Sequence, residues 1–93
     1  MIEWLEKWYL EQCDGDWEHI FGIEVYTIDN PGWHVKINLE DTLLENKPFD
    51  TYRNCVNEND WIICQVKENI FYAAGDPLKL EKIIEIFKKW VES

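Results

Sequence analysis

The sequence predicts an α+β domain: an antiparallel β-meander of about five strands, with N-terminal and C-terminal helices packed on one face. Three observations lead there. Apolar residues recur at helical spacing at both ends of the chain, they alternate with polar ones at a period of two in between, and the turns between those middle segments are short. Strands joined by short turns pair antiparallel, because a parallel crossover needs a dozen or more residues.

The first helix covers residues 2 to 12, IEWLEKWYLEQ, where Ile2, Leu5, Trp8, Tyr9 and Gln12 share one side and Glu3, Glu6 and Lys7 the other. It is expected to stop near Asp14-Gly15, since glycine readily adopts the left-handed conformation that ends helices. From His19 the period changes to two. Ile23, Val25 and Thr27 alternate with Glu24, Tyr26 and Ile28, and Trp33, Val35, Ile37 and Leu39 alternate with His34, Lys36 and Asn38. Asp29-Asn30-Pro31-Gly32 between them reads as a type II turn with proline and glycine as its central pair, so the two runs form a β-hairpin. Glu24 then faces water if Val25 faces the core.

A polar loop, DTLLENKP, leads to a third strand near Phe49 to Val56. Asn57-Glu58-Asn59-Asp60 turns into a fourth, WIICQV, and Lys67-Glu68-Asn69 into a fifth, IFYAA. The last segment opens with Asp76 as N-cap and Pro77 at the first helical position, and places Leu80, Ile83, Ile84, Phe87 and Val91 at helical spacing. Lys88 and Lys89 in its final turn suit the helix dipole. No repeat, linker or low-complexity tract divides residues 1–93, which are expected to fold as a single domain.

Composition narrows the function. Nineteen acids against 9 bases give a net charge of −10, which repels nucleic acid and anionic lipid and attracts a basic protein surface. Six tryptophans among 93 residues argue for a packed core and against disorder. No signal-peptide pattern opens the chain and no apolar run spans a bilayer, so a cytoplasmic protein without a membrane partner is expected. Cys13, Cys55 and Cys64 are an odd number without CxxC spacing, which fits reduced, buried thiols. The association state stays open between a monomer and a weak homodimer.

The densest chemistry lies in CDGDWEHIFG, residues 13 to 22. Asp14, Asp16 and Glu18 alternate as calcium ligands do in a DxDxD loop, but His19 and Val25 stand where such a loop needs glycine and glutamate. No second His or Cys completes a transition-metal set, so no metal is expected. Cys13 follows a helix and precedes three acids, surroundings that disfavour the thiolate, and Glu18 with His19 is too little for an acid/base pair. The four glycines are scattered singly and cradle no phosphate, so no cofactor is expected either.

Charge distribution favours binding. No lysine or arginine stands between Lys7 and Lys36, while Glu11, Asp14, Asp16, Glu18, Glu24 and Asp29 all do. A solvated acidic edge would also account for this pattern, but Trp17 beside the acids has the makings of an interface anchor. Trp33, on the apolar side of its strand, is expected in the core.

WLEKWYLEQCDGDWEH, FGIEVYTIDNPGW, NLEDT and the terminal IIEIFKKWVE resemble, over essentially the whole chain, the immunity protein 53 family, cognate antidotes of bacterial polymorphic toxins. The resemblance implies a non-enzymatic protein that binds and neutralises a toxin domain. Antidotes to basic nucleases are often acidic, because the partner's active site is built to hold phosphates. On that basis Asp14, Asp16, Trp17, Glu18, Glu24 and Asp29 are the expected toxin contacts. The alternative is a small cysteine- or histidine-dependent enzyme, such as a sulfurtransferase-like protein, that would depend on Cys13 or His19.

Overall fold

Helix α1 (Ile2–Gln12) buries Leu5 and Trp8 and leaves its charged side in water, as its spacing predicts, whereas Ile2 and Tyr9 of the same stripe are exposed. The computed structural model, which describes all 93 residues, continues with α2 (Trp17–Ile20), β1 (Ile23–Ile28), β2 (Gly32–Asn38), β3 (Tyr52–Asn57), β4 (Asp60–Lys67), β5 (Ile70–Gly75) and α3 (Leu80–Val91). Every strand pairing is antiparallel, and α1 and α3 lie against one face of the five-stranded sheet.

The strand order is β1-β2-β5-β4-β3. The sheet is therefore a β1-β2 hairpin joined through β5 to a β3-β4-β5 meander, and sequential order is broken where β5 inserts beside β2. Hydrophobicity explains the order. The polar strand YRNCVN (β3) is exposed at every position and takes an edge, whereas β2, β4 and β5 supply Val35, Ile37, Ile62, Cys64, Phe71 and Ala73 to the core. Strand β1 takes the other edge. Val25 pairs with buried Val35 on the helix-covered side, yet stays exposed because no helix reaches that far.

Phe87 of α3 sits at the centre of the core. Its ring centroid lies 5.0 Å from that of Phe71, 5.1 Å from Trp8 and 6.0 Å from Trp4, mostly edge-on, so one side chain joins both helices to the sheet. The connection 39–51 is fastened to α3, since Trp90 Nε1 donates to the Pro48 carbonyl at 2.8 Å and Lys47 Nζ to the Trp90 carbonyl at 2.8 Å.

Three local expectations change. Residues 17–20, read as the approach to a strand, form the single helical turn α2. Gly32 is not a turn residue: Asp29, Asn30 and Pro31 make the turn, and Gly32 opens β2 opposite Ile28. Glycine is needed there because a Cβ would lie 2.3 Å from the Gly75 carbonyl oxygen of the neighbouring strand. Asp76 does not cap α3, which starts at Leu80; its carboxylate instead accepts from the backbone N–H groups of Trp61 and Leu78, both at 2.9 Å, tying β4 to the turn before the helix.

Candidate functional site

The acids of CDGDWEHIFG build a turn. The Asp14 carboxylate accepts from the N–H groups of Asp16 and Trp17, both at 2.9 Å, so it heads α2 much as a capping side chain does. Glu18 reaches back and accepts from the N–H groups of Asp14 and Gly15 at 3.0 Å. Gly15, at φ +96°, supplies the backbone conformation that closes the loop. The N–H donors of Trp17 and then Asp16 hold the Asp14 carboxyl below the usual carboxylate range. Much of the lone-pair capacity of Asp14 and Glu18 thus satisfies local backbone, while Asp16 is exposed without such a task.

Trp17, expected as an anchor, is a core residue at 2% exposure. Its ring meets Trp8, Tyr9 and Phe21 at centroid distances of 6.2, 6.0 and 6.4 Å, and its Nε1 donates to the Glu40 carbonyl at 2.9 Å. An aromatic in the first turn of a short helix lies on the side that must pack, and here that side faces α1.

The remaining acids lie apart from the turn. Glu24 follows α2 closely but faces the helix-free side of the sheet, 3.8 Å from Lys36 Nζ. Asp29 lies in the β1-β2 turn, roughly 16 Å farther along the strand. Asp14, Asp16 and Glu18 are therefore gathered, Glu24 lies on the helix-free side of β1, and Asp29 stands at the far end.

The structure adds residues that the linear sequence separates. The Trp17–Glu40 bond brings the start of the connection 39–51 against α2, so Glu40 and Asp41 join the acidic end of the molecule. This loop is internally braced: Thr42 Oγ1 donates to the Leu39 carbonyl at 2.7 Å, and Asp41 N–H donates to Glu45 at 3.0 Å. Leu44 is buried, whereas Leu43 is 101% exposed. A polar-loop reading of DTLLENKP missed Leu43. The only sequence signal was the Leu-Leu pair, which does not say which leucine turns outward.

The helix-free face differs in kind. Tyr26 stacks on His34 at 4.9 Å, Tyr72 lies 6.4 Å from His34, and Lys36 Nζ lies 5.7 Å over the Tyr72 ring. Strand register adds Arg53 and Lys67 to this face, against Glu24 as its acid, so it is the least acidic surface of a strongly acidic molecule. His34 Nδ1 is buried without a hydrogen-bond partner, and burial, helped by Lys36, lowers the pKa of the ring.

The thiols do not share one environment. Cys64 is buried and pushed up to about 12 by desolvation, Cys55 is exposed, and Cys13 is half-buried with its Sγ 3.3 Å from the Tyr9 carbonyl. The expectation of three buried thiols thus holds for Cys64 alone, because Cys55 pairs with Trp61 on the helix-free side of an edge strand and Cys13 sits at the end of α1. His19 is mostly exposed, with Nε2 4.0 Å from Glu18. No three His, Cys, Asp or Glu side chains are grouped as a metal site requires, and no helix is long and apolar enough to cross a membrane.

Searches of the curated proteins and of the solved structures each return no match. The family model for immunity protein 53 matches residues 2–92, nearly the whole chain, and the chain belongs to the immunity protein 53 family.

Proposed function

We propose that this protein is an antidote that binds and neutralises a cognate bacterial polymorphic toxin domain, docking an acidic surface on a basic, nuclease-type cleft. The observation that carries the reading is family membership in a chain of net charge −10 that gathers Asp14, Asp16 and Glu18 in one turn. Opposite charge speeds encounter and disfavours wrong partners. Asp16, Glu24 and Asp29 are exposed and act as contacts; Asp14 and Glu18 contribute charge while they hold the turn that presents Asp16. Trp17 supports that surface from beneath. In this reading the protein works in the cytoplasm as a monomer or weak homodimer, without catalysis or cofactor, and binds neither nucleic acid nor membrane.

Calorimetric titration against the toxin domain encoded beside the gene, at low and moderate salt, tests the proposal. Tight 1:1 binding that weakens with salt, and weakens further when Asp16→Asn, Glu24→Gln and Asp29→Asn are combined, is the expected result. Binding indifferent both to salt and to the triple variant would retain the antidote role and move the contact to the helix-free aromatic face. Absence of binding would overturn the role for that toxin.

A further inference from the structure

We propose that Leu43 and the groove beside it form the anchor of the toxin-docking surface. Leu43 enters an apolar recess on the toxin, and the groove receives a toxin lysine or arginine. This inference rests on the antidote reading and gives its acidic surface a centre.

A single exposed leucine is ordinary on a protein surface. Leu43 differs in its setting. It stands at 101% exposure on a loop already held by the bonds at Thr42, Asp41 and Glu45, so little ordering entropy remains to oppose binding. Beside it opens a groove of about 380 Å³, with Trp8, Leu44 and Val91 among its walls and Glu11 on its border. Those apolar walls fit the aliphatic stem of a long cationic side chain, and the Glu11 carboxylate fits its charged head. Lys47 also borders the groove, but its ammonium is engaged by the carbonyls of Trp90 at 2.8 Å and Ser93 at 3.2 Å. Leu78, at 88% exposure, offers the contrast: the recess it borders is lined by Pro31, Glu58, Asn59, Asp76 and Pro77, with no aliphatic or aromatic side chain beyond the prolines and Leu78 itself.

Charge identifies the occupant. Glu40, Asp41 and Glu45 flank Leu43 in the chain, Glu11 borders its groove, and the Trp17–Glu40 bond makes the loop continuous with the turn carrying Asp16. An apolar knob surrounded by carboxylates matches a basic protein surface with an apolar recess. The acids steer the encounter, and desolvation at the knob and groove sets the lifetime of the complex.

The test compares the unmodified protein with Leu43→Ala, Leu43→Met and Glu11→Gln in titrations and dissociation kinetics against the toxin domain encoded beside the gene. Leu43→Ala should weaken binding about tenfold to hundredfold through faster dissociation, with unchanged melting temperature and unchanged salt dependence. Leu43→Met should stay within about threefold of the parent, because its volume and apolarity are retained. Glu11→Gln should weaken binding and reduce the salt dependence. If the parent binds and Leu43→Ala binds within about twofold of it, the anchor is refuted and the antidote role stands. If the parent does not bind, the antidote role for this toxin and the anchor fall together.

Discussion

Trp17 separates a structural role from a contact role, and Trp17→Ala decides between them. The indole is 2% exposed, meets three other aromatic rings and donates from Nε1 to the Glu40 carbonyl at 2.9 Å. Removing a buried tryptophan leaves a cavity the neighbours only partly fill, at a cost of about 3–5 kcal/mol. In a domain of 93 residues each kcal/mol moves the melting temperature by about 4–8 °C, so a fall of roughly 12–40 °C is expected. That is large against the ~5–15 kcal/mol that holds a typical domain together. Trp17→Phe is the milder companion: it keeps an aromatic ring and loses the Glu40 bond, for about 1–2 kcal/mol. Urea unfolding of both variants gives the stabilities, and titration of the folded Trp17→Phe protein against the toxin gives its affinity. The expected pattern is lowered stability in both and near-parental affinity per folded Trp17→Phe molecule. A Trp17→Ala protein within about 1 kcal/mol of the parent that has lost toxin binding would refute the core assignment.

Three further outcomes follow from the same geometry. The Asp76 carboxyl, nearly sealed from solvent, is pulled down to about 2 chiefly by its hydrogen bond to Lys79, and further by the N–H groups of Trp61 and Leu78. Its folded pKa lies below the ordinary 3.8, so its stabilisation is complete above that value and is lost as pH falls through about 2; Asp76→Asn should remove this contribution to acid unfolding, and an unchanged profile would count against it. Gly32→Ala should cost about 2–4 kcal/mol in chemical unfolding, because its Cβ meets the Gly75 carbonyl oxygen in the adjacent strand; near-neutral stability would contradict the close β2-β5 approach. Thiol labelling of the native protein should modify Cys55 first, Cys13 more slowly and Cys64 only on unfolding, as their exposures require, and rapid labelling of Cys64 would contradict the packing of β4.

The sequence by itself determined the two terminal helices and the five antiparallel strands, though not the single turn α2, because periodicity is a local property: a 3.6-residue pattern at each end and a two-residue pattern in the middle are legible over their own lengths, and four residues are too few to show one. It determined the charge, and with it the kinds of partner an acidic protein repels. It also carried the family resemblance. The tertiary structure alone decided what depends on neighbours far apart in the chain. Insertion of β5 beside β2 follows from packing the most apolar strands under α3, which no short segment encodes. Gly32 looked like a turn residue because Pro-Gly usually is, but its true constraint is a carbonyl some forty residues away, on Gly75. Asp14 and Glu18 read as free charges until the turn showed which N–H groups they accept from, and Trp17 read as an anchor until α1 covered it. The Trp17–Glu40 bond and the burial of Leu39 and Leu44 in the core with Trp17 bring the loop carrying Leu43 against the acidic turn, because burial and adjacency belong to the folded chain as a whole.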